Sequence, residues 1–231
     1  MPGPDRLQVY EDLLRERWSC RAFLPDPIAR ETIEEIVHTA QRAPSWCNAQ
    51  PWQLVIADRA QTYALREKLM SLPPDQPGAP DIPFPERYSG LHLDRRRVCG
   101  WQLYEAVGVT KGDREGSARQ NARNFCFFDA PHVAILTSEA ELGSYGLVDC
   151  GAFITSFMLA ARARGIASIA QAAIAWHAPV VRAHFAIPEN RTIVCAISFG
   201  LADETHPANS FRTARAPLGE VIDWRWDSES G

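Results

Sequence analysis

Arg17, Ser19 and Arg21 alternate along the segment Arg17-Trp18-Ser19-Cys20-Arg21. In an extended chain alternate side chains share one face, so two guanidinium groups and a hydroxyl would point the same way. That is a donor set for phosphate, which guanidinium binds through paired, charge-assisted hydrogen bonds. Alone the signal is weak, because an arginine pair at a helix end more often faces the negative end of the helix dipole.

Two further segments carry ligand chemistry. Ala43-Pro44-Ser45-Trp46-Cys47-Asn48-Ala49-Gln50-Pro51-Trp52 sets Ser, Asn and Gln between two prolines. The prolines stiffen the loop, so its short polar groups lose little order on binding a ligand edge. The plainer alternative is a helix stop and a turn, with Trp52 in the core. Late in the chain, Phe211-Arg212-Thr213-Ala214-Arg215-Ala216-Pro217-Leu218 offers two arginines with no carboxylate between them. A phosphate suits them, and a solvated tail is the alternative.

The elements that must position these segments can be read from periodicity. A helix following Asp5 carries Leu7, Tyr10, Leu13 and Leu14 and ends near Arg17. A second, after Pro27, has the stripe Ile33, Ile36, Val37 and Ala40 and cannot pass Pro44. Trp52 to Ala57 reads as a strand and Ala60 to Met70 as a helix. Six prolines from Pro73 to Pro85 then impose an irregular, lid-like insertion over about 72–88. Helical spacing resumes over 91–107, where Arg95, Arg96 and Arg97 read as a solvated face, and a polar helix follows Asp113. His132 to Leu136 reads as a buried strand, and 145–164 as a helix apolar nearly all round. Short strands near 168–170 and 192–199 flank a helix over 180–185. Helices and strands mix without regular βαβ alternation, which makes the class α+β rather than doubly wound. No Gly-rich dinucleotide or P-loop turn is present.

Composition narrows the function. The 231 residues are 46% hydrophobic and 23% charged, as in a globular chain, and one domain spans 1–231 with a C-terminal extension over about 203–231. Lys and Arg total 24 against 28 Asp and Glu, net −4, so no basic field favours nucleic acid. The apolar stretch 151–161 is half of a membrane span, and the first residues lack a signal peptide, so a cytoplasmic location is expected. Six cysteines without a Cys-x-x-Cys pair read as reduced, mostly buried thiols, and six histidines without ligand spacing suggest no metal. Asp149, a carboxylate on an apolar helix, calls for a partner, with an acid/base role a minority alternative.

Taken together and in order, Arg17/Ser19/Arg21, Ala43 through Trp52, and Arg215-Ala216-Pro217-Leu218 resemble the FMN-dependent nitroreductase family over about residues 10–224. Phe127-Phe128-Asp129-Ala130-Pro131, Gln171-Ala172-Ala173-Ile174 and Asn209 through Arg215 are similar to its nitrobenzoate-reductase branch. The resemblance implies an α+β sandwich with a mixed or antiparallel sheet of four to five strands, in an intertwined homodimer with FMN at the subunit interface. It implies that Arg17, Ser19 and Arg215 hold the FMN phosphate with help from Arg212, and that Arg21 lies toward the ribityl and pyrimidine end. Pro44, Ser45 and Asn48 would contact the flavin, from their own or the opposite subunit, and the backbone near Gln171, Ala172 and Ala173 would face N5. Trp18 and Trp46 adjoin these contacts as departures: many relatives have a second arginine and a small residue there. NADH or NADPH would reduce the flavin, and a nitroaromatic or quinone would then take the electrons in ping-pong fashion. No catalytic side chain is required, because the flavin carries the chemistry. The alternatives are dehalogenation or dehydrogenation on the same fold, and an FMN carrier or sensor without turnover.

Overall fold

The computed structural model describes residues 5–73 and 75–226. Pro74 of the insertion and residues 227–231 of the C-terminal extension lie outside the described residues. Four strands form one sheet: β1 (Gln53–Ala57), β2 (His132–Glu139), β3 (Ala167–Gln171) and β4 (Arg191–Gly200). Their order is β1-β2-β4-β3 with every neighbour antiparallel. The one parallel contact among the described residues is an isolated bridge from Ser19 to Ser168 at the outer edge of β3.

The sheet is central because both faces of β2 are buried. Val133 and Ile135 enter one core with Leu65, Phe127, Phe128, Ile174 and Val181. Ala134 and Leu136 enter the other with Ile36, Phe153, Phe157 and Phe199. Successive strand residues point to opposite faces, so a continuous apolar run is what a doubly covered strand requires.

Helices cover the two faces. On the second face lie α2 (Arg30–Ala40), through Ile33, Ile36 and Ala40, and α6 (Gly143–Arg162), through Cys150, Phe153 and Phe157. On the first lie α3 (Arg59–Met70) and, after β3, the four-residue α7 (Ala172–Ala175) and α8 (Ala178–Phe185). The sequence reading has no counterpart to α7, which is too short to show a period; buried Ile174 and Ala175 fold it onto the core. The remaining helices are α1 (Arg6–Glu16), capped by Asp5, α4 (Gly90–Ala106), and α5 (Arg114–Ala122), capped by Asp113.

The segment Ala140–Arg162 is long and apolar enough to cross a membrane by length and composition alone. Its apolarity has a packing reason in Phe153 and Phe157, which are wholly buried against the sheet.

The insertion is not a free lid. Among the described residues of 72–88, Ala79 N donates to Trp176 O at 3.0 Å and Phe84 packs edge-on to Trp176 at 5.2 Å. Asp81 accepts from Arg182 Nη2 at 2.6 Å and from the backbone N–H of Ile193 at 2.7 Å. The segment is a strap fastened across α7, α8 and β4. Of the basic run on α4, Arg95 pairs with Glu220 at 2.6 Å and Arg96 lies 5.2 Å from the Tyr88 ring, so that face is only partly solvated.

Candidate functional site

After α1 the chain turns extended, and its bridge to β3 fixes the alternation of Arg17, Ser19 and Arg21. Cys20 and Ala22 face the core, 0% and 4% exposed. Cys20 N donates to Ser168 O, and Arg21 N donates to Asn209 Oδ1 at 2.8 Å. Asn209, itself buried, also donates from Nδ2 to Ala22 O and Asp203 O. One amide thereby ties the first motif to the segment that leads into the last.

The result is a cavity of about 780 Å³. Arg17, Trp18, Ser19 and Arg21 line it from one side, Arg212, Thr213 and Arg215 from the other, and Thr155 and Met158 of α6 complete it. Among the described residues Glu11 and Asp12 pair with Arg15, itself on the cavity wall, and Glu16 pairs with Arg162, while Glu204 shares a neighbouring cavity with Trp18 and Arg212 and forms no ion pair. None of Arg17, Arg21, Arg212 and Arg215 forms an ion pair among the described residues. Burial, and then the positive charge of Arg215, hold Arg17 below the usual guanidinium range. Burial lowers Arg21 as well. A cluster of cations that repel one another around a hydroxyl-lined cavity is completed by an anion, and the donor set fits a phosphate.

The second motif lies elsewhere in the chain. Cys47, Asn48 and Gln50 all have positive φ, at 52°, 55° and 48°, a strained left-handed path for residues with side chains. Three contacts hold it. Ser45 Oγ accepts from Gln50 N at 3.0 Å, Asp149 accepts from Trp46 N, and Arg191 Nη2 donates to Pro51 O at 3.3 Å. The Trp46 ring, 62% exposed, packs on Tyr145 with centroids 4.5 Å apart. Tyr145 is ten residues, about 15 Å of helix, from Thr155 in the cavity wall. Pro44, Ser45, Trp46 and Asn48 therefore do not line the cavity within one chain.

Gln171, Ala172 and Ala173 stand at the far end of β3 from the Ser19 bridge, also outside the cavity wall. The Gln171 side chain is occupied: its Nε2 donates to Asn124, and its Oε1 accepts from Ser198 Oγ. Ala172 is exposed, and the amides opening α7 have no intrahelical acceptor.

Comparison with known proteins supplies the family. The nitroreductase family model matches residues 14–201. The chain belongs to the nitroreductase family. A relative within it, nitroreductase NfnB of Mycolicibacterium smegmatis, is 34% identical over 221 residues, 95% of this chain and 94% of its own length. The 4-nitrobenzoate reductase of Nocardioides is 31% identical, over 96% of this chain and 92% of its own. The crystal structure of FMN-dependent NfnB from Mycobacterium smegmatis in complex with NADPH superposes with a TM-score of 0.90 and 34% identity, covering 95% of this chain and 99% of that one.

Within this nitroreductase-family chain, sequence reasoning missed Asn209 as an organiser, because its partners lie 187 and 188 residues away. Asp149 calls for a partner in the sequence, with an acid/base role as the alternative, and the Trp46 amide is its partner in the fold. The thiols are free, with Cys47 exposed and Cys99 partly exposed on the cavity wall. Burial pushes Cys20 up to about 11 and Cys195 up to about 12, which makes these two inert rather than nucleophilic.

Proposed function

We propose that this chain is an FMN-dependent NAD(P)H oxidoreductase of the nitroreductase type, acting on nitroaromatic or quinone acceptors. The observation that carries the reading is the cavity in which Arg17, Ser19, Arg21 and Arg215 converge without a carboxylate partner among the described residues. In this reading Arg17, Ser19 and Arg215 hold the phosphate. Arg21, one step further along the extended segment, places its charge toward the ribityl and pyrimidine end. From Ser168, opposite Ser19, β3 runs about 13 Å to Ala172. A ligand with phosphate at one end and a flat ring at the other would follow it, bringing the ring to the amides of Ala172 and Ala173 at the start of α7. When bound, FMN would take hydride from NADH or NADPH and pass electrons to the acceptor.

A homodimer completes this site. The loop of Pro44, Ser45, Trp46 and Asn48 is about 15 Å along α6 from its own chain's cavity, so a second copy is the natural source of those contacts. Unpartnered apolar surface supports the same assembly. Neither α1 nor α4 has a buried residue, although they expose Leu7, Tyr10, Leu91, Val98 and Trp101. Short isolated helices of this kind need tertiary or subunit packing. Tyr145 and Val148 on α6 and Trp224 and Trp226 in the C-terminal extension add to that surface. We place the protein in the cytoplasm as a single domain over 1–231.

The test is the absorption spectrum of the purified protein between 300 and 550 nm, followed by anaerobic NADH, then NADPH, then a nitrobenzoate. Flavin bands that bleach with a nucleotide and return with the nitro compound are expected. A flavin spectrum that neither nucleotide bleaches would favour a carrier or sensor, and a colourless protein that refuses added FMN would refute the proposal.

A further inference from the structure

Trp18 stands between Arg17 and Ser19 and brings no charge to the cavity, yet the cavity does not lack a cation beside it. Arg212 supplies it from the other end of the chain. The Arg212 Cζ lies 4.2 Å from the centroid of the Trp18 ring. Arg212 Nη1 donates to the carbonyls of Asn209 and Phe211, both at 2.8 Å. Its Nε and Nη2 make no hydrogen bond among the described residues, and no carboxylate pairs with it there. A second cation over the same ring, Arg162 at 5.5 Å, is engaged by Glu16 at 2.8 Å.

A guanidinium stacked on an indole uses its face and keeps its in-plane donors. With one nitrogen held by two carbonyls and the face held by the ring, Arg212 retains one free edge. Trp18 and Arg212 line the same cavity as Arg17, Ser19 and Arg215. Arg212 itself is exposed, and an unstacked exposed arginine would lose rotamer freedom on gripping an anion. The stack removes that cost beforehand.

We infer that Trp18 is a positioning residue for the cofactor phosphate: its indole face holds Arg212 in place, so that the unbonded Nε and Nη2 donors of Arg212 are available to the phosphate. The inference rests on the FMN reading of the cavity. Because Arg212 acts on the phosphate alone, the device distinguishes FMN from riboflavin, which has the same ring and ribityl chain without the phosphate.

The experiment is a flavin-fluorescence titration of the flavin-stripped protein with FMN and with riboflavin, for the wild type, Trp18→Leu, Arg212→Ala and the double variant. Arg212→Ala is expected to weaken FMN by about tenfold or more. Trp18→Leu is expected to weaken it about fivefold. The double variant should bind FMN within about twofold of Arg212→Ala alone, because removing the ring matters only while the guanidinium is there. Riboflavin affinity should stay unchanged throughout. Losses that multiply in the double variant, or riboflavin weakened as much as FMN, would overturn the inference and leave Trp18 a packing residue. If circular dichroism shows Trp18→Leu unfolded, the same cycle with Trp18→Phe replaces it, and multiplying losses overturn the inference there too. A wild type that binds neither flavin overturns the FMN reading and this inference with it, whereas FMN binding with multiplying losses overturns the inference alone.

Discussion

Asp149 receives the backbone N–H of Trp46 on both carboxylate oxygens, at 3.2 Å to Oδ1 and 3.1 Å to Oδ2. The carboxylate sits on α6 and is 9% exposed, and the amide belongs to a loop whose next residues have positive φ. A buried acceptor thus holds a strained segment that local preference alone would release. Asp149→Ala should cost about 1.5–3 kcal/mol of stability, the range for hydrogen bonds to charged groups. In the proposed enzyme it should also raise KM for the nitro acceptor while leaving the phosphate end of the flavin site intact. Urea denaturation and steady-state kinetics check both, and an unchanged loop, stability and KM would remove Asp149 from this role.

Arg215 has no ion-pair partner among the described residues, and its charge is felt by Arg17 across the cavity. Arg215→Ala should therefore weaken FMN retention by about 1.5–3 kcal/mol, on the order of ten- to a hundredfold. The measurement is the flavin-to-protein ratio after gel filtration. A variant that stays fully yellow shows that the phosphate is held elsewhere.

The strap over 72–88 depends on close approach at Gly78. A Cβ built there would lie 2.0 Å from Trp176 Cε2, so Gly78→Ala must displace either the indole or the strap. Asp81→Asn would remove the charge facing Arg182, and with it a pairing whose loss is worth about 1–3 kcal/mol. Both variants should become sensitive to limited proteolysis within the insertion at protease levels that leave the wild type whole. Equal resistance would mean that the strap is held by contacts other than these.

His132 sets a pH dependence with a definite sign. Ile28 N donates to its Nε2 at 2.9 Å, so Nε2 is the unprotonated nitrogen and Nδ1 donates to Ala57 O at 3.1 Å. Burial lowers its folded-state pKa below 6.5, and burial lowers His177 and His184 in the same direction. Below about pH 6.5 the unfolded chain binds more protons than the folded one, so stability falls as pH drops from 6.5 toward the folded-state pKa values. Above about pH 8 these groups contribute almost no slope. Denaturation midpoints between pH 5 and 8 read this directly, and His132→Gln should flatten the acid limb; an unaltered limb would exclude His132 as a contributor.

Most elements were legible because they rest on local repetition. The i, i+3, i+4, i+7 stripe of Ile33, Ile36, Val37 and Ala40 and the run His132 to Leu136 state their geometry within a few residues. The four-residue α7 was not legible, since a single turn has no period and forms only because Ile174 and Ala175 meet the core. The contacts of the strap were not legible, because prolines exclude helix and central strand without saying what the segment touches.

The sequence alone determined which side chains could grip a phosphate, that Arg17, Ser19 and Arg21 would share a face, and the family those motifs resemble. These are matters of residue chemistry and backbone alternation, which operate over a few bonds. Only the tertiary structure decided that Asn209 ties the two ends of the cavity together, that Asp149 answers Trp46, and that Arg212 lies on Trp18. Each of those pairs is separated by more than a hundred residues, and the sheet order β1-β2-β4-β3 brings them near. Such contacts form only when burial on both faces of the sheet offsets the entropy of closing long loops, a balance made by the whole chain and written in no single motif.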